Sequence, residues 1–363
     1  MARRPTCFLA CPYGEKGGGM GRIMDYLLRG TADRALPLRF EALETRGAGR
    51  RLHSAPALAV AAARIALRTL RRRPCFVHVN VAERGSVLRK GVLIAVARLC
   101  GARPVVHLHA AQIVAFYRAL PAAGRVLVRA MFRAARLCIV LGEASRAFVA
   151  EELGVAPERI AILRNGVPET GLARVPGDGT FRILFLGNLL ARKGVDDLLR
   201  ALAHPALAGE DWQATIAGGG AVASYQARTA AFDLADRIRF TGWLDQDAAA
   251  ARIARADALV LPSYDEGLPL VVLEALSLGV PVVTTPVGAI PEVLAHEQTA
   301  LLVPPGDTEA LARTLLRLMR DPALRARLST EGAALYQRAF TLDAFIARLL
   351  DLYRTRCGLG DAA

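Results

Sequence analysis

Residues 263–288 of this 363-residue chain read SYDEGLPLVVLEALSLGVPVVTTPVG and give the strongest indication of its fold and function. A loop containing Glu266 leads into an apolar helical run that contains Glu274 and stops at Gly279, and a β-rich stretch follows. Glu274 lies about two helical turns beyond the loop carboxylate, or ~12 Å at 1.5 Å per residue, and amides at a helix N-terminus attract an anion. The pattern predicts a clamp for a long polar ligand with an anionic middle, such as a nucleotide sugar. Spacing alone is equally compatible with a capped amphipathic helix.

The size and composition indicate a folded protein of two domains. Hydrophobic residues make up 53% and charged residues 22% of the chain, and 363 residues exceed one ordinary core. No apolar run reaches the ~18 residues of a transmembrane helix, and the N-terminal stretch is interpreted as a first buried strand rather than a signal peptide. Six scattered cysteines lack metal-type spacing, which favours buried thiols in a reducing cytoplasm.

The net charge of +14 lies entirely in the first half of the chain. Residues 1–170 contain 28 basic and 11 acidic residues, and nearly all the basic ones are arginine. A predicted helix, 57–72, and a second stretch, 124–136, carry arginines at helical spacing, which suits either an anionic membrane surface or an ordinary solvated face. Those arginines are Arg64, Arg68, Arg71 and Arg72 in the first helix, and Arg125, Arg129, Arg133 and Arg136 in the second.

Short β-rich runs alternate with longer Ala/Leu/Arg runs, which predicts an α/β fold with parallel sheets. The predicted strands are 6–10, 40–43, 76–80, 104–108, 137–140, 160–163, 182–186, 213–217, 238–241, 258–261, 281–284 and 300–303. The predicted helices include 57–72, 92–99, 126–135, 194–203, 309–320 and 323–335. A Gly/Pro-rich linker at 165–180 divides two doubly wound Rossmann-like domains, 1–168 and 169–340, with a final helix at 341–357 packing back on the first. Ligands of such folds bind beyond the carboxyl ends of the strands, here in an interdomain cleft.

Polar and glycine-rich motifs follow the predicted strands of the second domain. The first is GNLLARKG, in which Arg192 and Lys193 precede a helix start and are placed to neutralise a diphosphate. The next two predicted strands are followed by GGG at 218–220 and by TGWL at 241–244, where glycines permit close approach of a ligand. The glycines of the first loop, 14–21, do not fit the G-x-G-x-x-G pattern of dinucleotide-binding proteins.

This order of motifs resembles the family 4 glycosyltransferases, which have the GT-B fold, retain anomeric configuration and use nucleotide-sugar donors. The resemblance covers residues 181–303 most strongly. It implies that Glu266 contacts the donor sugar, that Glu274 contacts the ribose, and that Lys193 with Arg192 contacts the diphosphate. Many relatives have Gly-Arg where this chain has Gly187-Asn188, so one phosphate contact is absent or is supplied by Arg192.

The same resemblance implies further site residues. His109 matches the family's histidine near the reacting sugar, whereas neighbouring His107 is expected to point into the core. The donor-binding residues are expected to be Gly18, Gly19, Asn188, Gly218, Gly219, Trp243, Leu244, Gly267, Leu268, Pro269 and Glu274. The GT-B fold implies no metal cofactor. The one Asp-x-Asp, Asp245 to Asp247, is a candidate for holding a metal and diphosphate, but either Asp245 or Asp247 is interpreted as a helix N-cap instead.

The acceptor is expected on the basic first domain. A polyprenyl-diphosphate-linked sugar suits its charge, and the arrangement NVAERGSVLRK…HLHAA resembles bacterial enzymes that build exopolysaccharide or cell-surface glycan. The expected acceptor-binding residues are Asn80, Arg84, Ser86, Arg89 and Lys90. The protein is then cytoplasmic, with the inner face of the membrane as a candidate location.

Two other classes of function compete with a glycosyltransferase. A sugar-nucleotide epimerase of the same fold needs acid/base residues, and the order of the transferase motifs disfavours it. A basic nucleic-acid-binding module suits the charge of the first half. That half has few aromatic residues for base stacking and no recognition motif, so nucleic acid is not the expected partner.

Overall fold

The computed structural model describes residues 4–13, 18–46, 54–70, 75–83, 85–175, 177 and 179–360. The chain forms two compact units, Met1–Gly166 with Leu342–Ala363, and Val167–Thr341. The expected domain boundary after residue 168 lies two residues from this division. The C-terminal segment, expected to return to the first domain, is part of the first unit.

The first unit is built on a parallel six-stranded sheet of order β2-β1-β3-β4-β5-β6. Its strands are β1 Thr6–Cys11, β2 Arg39–Glu44, β3 Cys75–Val81, β4 Arg103–Leu108, β5 Leu137–Val140 and β6 Ile160–Ile162. Its helices include α1 Gly18–Thr31, α2 Ser54–Leu70, α3 Gly85–Leu99, α4 Ile113–Arg118, α5 Ala122–Ala134 and α6 Glu143–Ala147. Every residue of β1, β3 and β5 is buried, as expected where helices cover both faces of a parallel sheet.

The second unit repeats this plan with the order β12-β11-β10-β7-β8-β9. Its strands are β7 Phe181–Leu186, β8 Trp212–Ala217, β9 Ile238–Gly242, β10 Ala258–Leu261, β11 Val282–Thr284 and β12 Leu301–Leu302. Its helices are α7 Val195–Leu202, α8 Val222–Ala231, α9 Gln246–Arg255, α10 Leu270–Ser277, α11 Thr308–Arg320 and α12 Pro322–Ala339. The chain leaves β7 towards β8 on one side and returns to β10 on the other, so the switch in strand order lies between β7 and β10.

Each of the twelve predicted strands overlaps an observed one, which confirms the α/β prediction. The stop of α10 at Gly279 is also confirmed. Gly279 has φ 61°, its N–H donates to the carbonyl of Leu276, and the N–H of Val280 donates to that of Ala275. This pair of hydrogen bonds is typical of a helix that ends at a glycine in the left-handed conformation. Asp245 caps α9 by accepting the N–H of Ala248 at 2.8 Å, as interpreted from the sequence.

The last helix, α13 Leu342–Cys357, packs against α1 within the first unit. Tyr353 on this helix is fully buried, and its ring stacks on Phe76 with 5.4 Å between centroids. Its hydroxyl lies 2.6 Å from His78 Nδ1 and 3.4 Å from Cys7 Sγ. The C-terminal helix is therefore held to β1 and β3 by a buried polar contact as well as by apolar packing.

We expect Tyr353→Phe to destabilise the first unit by about 1–3 kcal/mol, because it leaves the buried Nδ1 of His78 without its partner. Chemical unfolding followed by circular dichroism measures the change. Thr355→Ser, an exposed hydroxyl on the same helix, is the matched control and should leave stability unaltered. If Tyr353→Phe were as stable as the wild type, the Tyr353 hydroxyl would not contribute to holding the C-terminal helix on the sheet.

Candidate functional site

The loops that follow β7 and β10 interlock at the carboxyl edge of the second sheet. The backbone N–H of Tyr264 donates to the carbonyl of Arg192 at 2.8 Å. In the opposite direction, Arg192 Nη1 donates to the carbonyl of Asp265 at 2.9 Å. These bonds cross from one loop to the other, so the side chains of both loops meet at the switch in strand order.

A charged cluster formed by Lys193, Ser263 and Glu266 lies in these two loops; we call it the Glu266 cluster. Glu266 Oε1 accepts bonds from Lys193 Nζ at 2.5 Å and from Ser263 Oγ at 2.7 Å. The side chains of Lys193 and Glu266 are only 14% and 7% exposed. Limited access of water strengthens such charge-assisted bonds. Ser263 was not among the predicted site residues, although it directly follows the Pro at the end of β10.

Two glycines allow the backbone to approach closely around this cluster. Gly194 has φ 69°, and a Cβ there would lie 1.9 Å from the carbonyl oxygen of Pro262. Gly288 has φ 59°, and a Cβ there would lie 2.0 Å from the carbonyl oxygen of Glu266. Thr285 Oγ1 adds a 2.5 Å bond to the carbonyl of Ser263. The position of the Glu266 carboxylate is therefore fixed from three neighbouring segments.

The expected helix-start residues border the same loop. Gly267 accepts the N–H of Ala289 through its carbonyl at 2.9 Å, Leu268 is buried, and Pro269 is the N-cap of α10. Glu274 lies one turn into α10 and is 6% exposed in a helix otherwise made of apolar residues and one serine.

The other predicted donor residues follow β7, β8 and β9. Gly218 has φ 152°, and a Cβ there would lie 1.8 Å from the carbonyl oxygen of Gly187. The N–H of Leu189 donates to the carbonyl of Gly219 at 2.7 Å. The glycine run thus packs against the loop that carries Asn188, whose side chain is exposed. Beyond β9, Trp243 is 46% exposed and Leu244 is partly exposed.

In the first unit, His109 follows β4 and joins a stack of buried polar rings. Its Nε2 lies 2.9 Å from Oδ1 of the fully buried Asn80, and its ring lies 3.9 Å from that of His107. His107 Nδ1 is 3.1 Å from His78 Nε2, and His78 in turn contacts Tyr353. His107 points into the core, as expected. We call His78, His107 and His109 the histidine stack.

The histidine stack is uncharged near neutral pH. Burial lowers the pKa of His78 and His109 to about 3, and it lowers the pKa of His107 well below the ordinary value. His109 keeps a partly exposed edge at the carboxyl end of β4. It is therefore a neutral donor or acceptor of hydrogen bonds.

The predicted acceptor residues require a correction at Lys90. Its side chain is fully buried, and Nζ donates to the carbonyl of Ala10 at 2.8 Å and to Thr45 Oγ1 at 2.7 Å. Burial lowers the pKa of Lys90 to about 7. The turn of α3 that carries Lys90 faces the sheet, so this ammonium joins β1 to the end of β2 instead of facing a ligand.

The remaining first-unit predictions are placed as follows. Ser86 is buried and its Oγ accepts the N–H of Ala82 at 3.2 Å, and Arg89 is partly buried. Gly18 and Gly19 are the exposed first residues of α1. Arg84 lies outside the described residues. Within the described part of the chain, no group of three or more His, Cys, Asp and Glu side chains has a metal-binding arrangement.

Comparison with protein families identifies the unit that carries the Glu266 cluster. Residues 174–334 match the model of the glycosyl transferases group 1 family. The match spans most of the second unit. Among curated relatives, the chain is 33% identical to D-inositol 3-phosphate glycosyltransferase of Salinispora tropica over 230 residues, or 60% of this chain and 43% of that protein. This chain spans about half the length of the curated relatives it matches.

Solved structures extend the likeness to both units. Sucrose-phosphate synthase from Thermosynechococcus elongatus superposes with a TM-score of 0.78 at 20% identity, covering 99% of this chain and all of that one. Anabaena HepE, solved in complex with UDP and glucose, superposes with a TM-score of 0.77 at 18% identity, covering 97% of this chain and all of HepE. With a parallel six-stranded sheet in each unit, the chain has the two-domain GT-B fold.

We expect acid to destabilise the first unit through the histidine stack. The unfolded histidines have pKa values near 6.5, above those in the folded protein, so the unfolded state binds more protons as the pH falls below about 6.5. Each histidine should lower the free energy of unfolding by up to about 1.4 kcal/mol per pH unit. Urea unfolding between pH 7 and about 4 measures the slope. His107→Gln should reduce this slope, whereas the control His296→Gln, which changes an exposed histidine, should not. Equal slopes for His107→Gln and the wild type would contradict the prediction that the buried histidines are neutral in the folded protein.

We also expect Gly194→Ala to destabilise the second unit by roughly 1–3 kcal/mol, because alanine must adopt a left-handed conformation against the carbonyl of Pro262. Urea unfolding measures this loss. Gly209→Ala is the matched control, since Gly209 is exposed and a Cβ there has open space. If the two variants were equally stable, the close approach of residue 194 to Pro262 would not contribute to the stability of the second unit.

Proposed function

We propose that this protein is a retaining glycosyltransferase that moves a sugar from a UDP- or GDP-sugar to an acceptor glycan. The observation that carries the proposal is the Glu266 cluster, in which a carboxylate and an ammonium meet beside the N-terminus of α10. This point lies at the switch in strand order, where doubly wound sheets bind their ligands. The likeness to HepE, whose structure contains UDP and glucose, supports the class of donor.

Each end of the proposed donor has a matching group. Glu266 binds the sugar hydroxyls through Oε2, since Lys193 and Ser263 both bond to Oε1. Lys193 and the amides of Gly267 and Leu268 face the diphosphate. Glu274, farther along α10, binds the ribose hydroxyls, and the exposed ring of Trp243 lies beside the base.

Arg192 has a different proposed role from Lys193. One of its guanidinium nitrogens is bonded to the carbonyl of Asp265, so Arg192 fixes the loop that carries Glu266. A guanidinium has five N–H donors, and those not used on Asp265 add positive charge beside the diphosphate. Arg192 thereby offsets the missing charge at Asn188, where many relatives have arginine.

The proposed reaction exchanges one bond to the anomeric carbon for another on the same face of the sugar. The bond from that carbon to the diphosphate oxygen breaks as the bond to the acceptor oxygen forms. The proton of the acceptor hydroxyl passes to the departing phosphate oxygen, giving a glycoside and a nucleoside diphosphate. Lys193 and the α10 amides stabilise the negative charge that develops on the leaving group. We propose that these groups serve without a bound metal.

We further propose that the acceptor is a lipid-linked glycan in bacterial surface polysaccharide assembly, and that the enzyme works at the inner face of the cytoplasmic membrane. The excess of basic over acidic residues in the first 170 residues supports an anionic acceptor.

Calorimetric titration with UDP- and GDP-sugars tests the donor site. One of these donors should bind the wild type, and Glu274→Gln should weaken that binding at least tenfold, as expected for losing a charged hydrogen bond of about 1.5–3 kcal/mol. Glu266→Gln should abolish slow donor hydrolysis while preserving the fold. EDTA should change neither binding nor hydrolysis.

The matched control is Glu309→Gln, an exposed carboxylate paired with Arg313 on α11 of the same unit. It should bind donor as the wild type does. Donor binding unaffected by both Glu266→Gln and Glu274→Gln would contradict the proposed site. Salt-sensitive binding of DNA without any donor binding would favour a basic binding module instead.

A further inference from the structure

The outward face of three neighbouring helices in the first unit has an unusual composition. Helix α2 connects β2 to β3, α3 connects β3 to β4, and α5 lies in the connection from β4 to β5. All three connections advance across the sheet in the same direction, so right-handed crossovers place the three helices on the same face. Helix α3 packs against α2 on one side and α5 on the other. A Cβ on Gly91 of α3 would lie 3.7 Å from Met131 Sδ of α5, which shows how closely these two helices approach.

Large apolar side chains project from this layer into solvent. In α3, Leu88, Val92 and Leu99 recur at i, i+4 and i+11 and so lie along one line of the helix, with Leu99 87% exposed. In the described part of the first unit, every strongly exposed large hydrophobic side chain belongs to these three helices. The set is Val60, Leu67, Leu70, Leu88, Val92, Leu99, Val126 and Leu127, which we call the apolar face.

The charges of these helices are all positive. The sequences of α2, α3 and α5 contain seven arginines and one lysine but no aspartate or glutamate. Arg98 and Arg125 are exposed beside Leu99 and Val126. Arg129 and Arg133 are anchored by Nε bonds to the carbonyls of residues 152–154 and keep their charge at the surface. The exposed charges that these three helices themselves supply are therefore all positive, although Glu41 of β2 pairs with Arg64.

We propose that the apolar face of α2, α3 and α5 docks on a bilayer surface that contains anionic phospholipid. Leucine and valine side chains would enter the boundary between headgroups and acyl chains, and the bordering arginines would meet lipid phosphates. This deepens the proposed function and rests on it for the lipid-linked acceptor, which such docking would present to the enzyme at the membrane surface.

The charges argue against a second copy as the occupant. A twofold-symmetric contact through this face would bring the same arginines together, and these helices supply no carboxylate to pair with them. Within the described residues, no helix is both long and apolar enough to cross a membrane. In this proposal the apolar face lies on the bilayer surface.

Vesicle co-sedimentation tests this proposal on the full chain. The wild type should bind vesicles of mixed phosphatidylcholine and phosphatidylglycerol, and should bind vesicles of phosphatidylcholine alone much more weakly. Leu88→Gln/Leu99→Gln should reduce binding to the mixed vesicles at least tenfold. Arg98→Gln/Arg125→Gln should reduce it several-fold and make it less sensitive to salt.

The matched control is Leu172→Gln/Val175→Gln, which changes two exposed apolar residues of the second unit and should bind vesicles as the wild type does. Titration of the same proteins with UDP and with GDP separates the two proposals, because the leucine variant should keep the wild type's nucleotide affinity whatever its lipid binding. Absence of wild-type binding to mixed vesicles, or unreduced binding of the leucine variant, would overturn the docking surface. Self-association lost in the leucine variant, without vesicle binding, would assign the face to a second copy and also overturn it.

Discussion

Lys193 and Glu266 come from loops after two adjacent strands, β7 and β10, and their side chains meet in an ion pair 2.5 Å long. Both are nearly enclosed, so the pair is stable only if other bonds satisfy the carboxylate and the loops cannot drift apart. Ser263 supplies the second bond to Glu266, and the glycines at 194 and 288 allow the close backbone contacts that hold the loops. The geometry of the candidate donor site follows from this one contact.

The buried polar groups of the two units have different partners. In the second unit, the ammonium of Lys193 faces a carboxylate. In the first unit, the ammonium of Lys90 has only neutral oxygens as hydrogen-bond partners, and burial lowers its pKa to about 7. His78 and His107 face other rings and a tyrosine hydroxyl, and desolvation keeps them neutral. An ion pair in the second unit and neutral histidines beside β4 in the first thus both follow from the partners that surround each buried group.

The sequence predicted features that local chemistry determines. Buried β-branched and apolar runs located the strands, Gly279 located the end of α10, and Asp245 located the start of α9. It missed the first turns of α3, because the segment before residue 92 mixes cations with apolar residues. Successive residues of a helix differ by 100° in direction, so only tertiary packing shows that Lys90 points inward. The bond from Ser263 to Glu266 depends on how two distant loops meet, and no local pattern encodes it.

The account's central claim is that the Glu266 cluster holds the sugar and diphosphate of a nucleotide-sugar donor. A crystal structure of the protein with UDP-glucose, or with the GDP-sugar that binds, tests this claim most directly. The account predicts a diphosphate oxygen within hydrogen-bond distance of Lys193 Nζ, sugar hydroxyls on Glu266, and the ribose on Glu274. A donor bound elsewhere, with the bonds among Lys193, Ser263 and Glu266 unchanged and unoccupied by ligand, would contradict it.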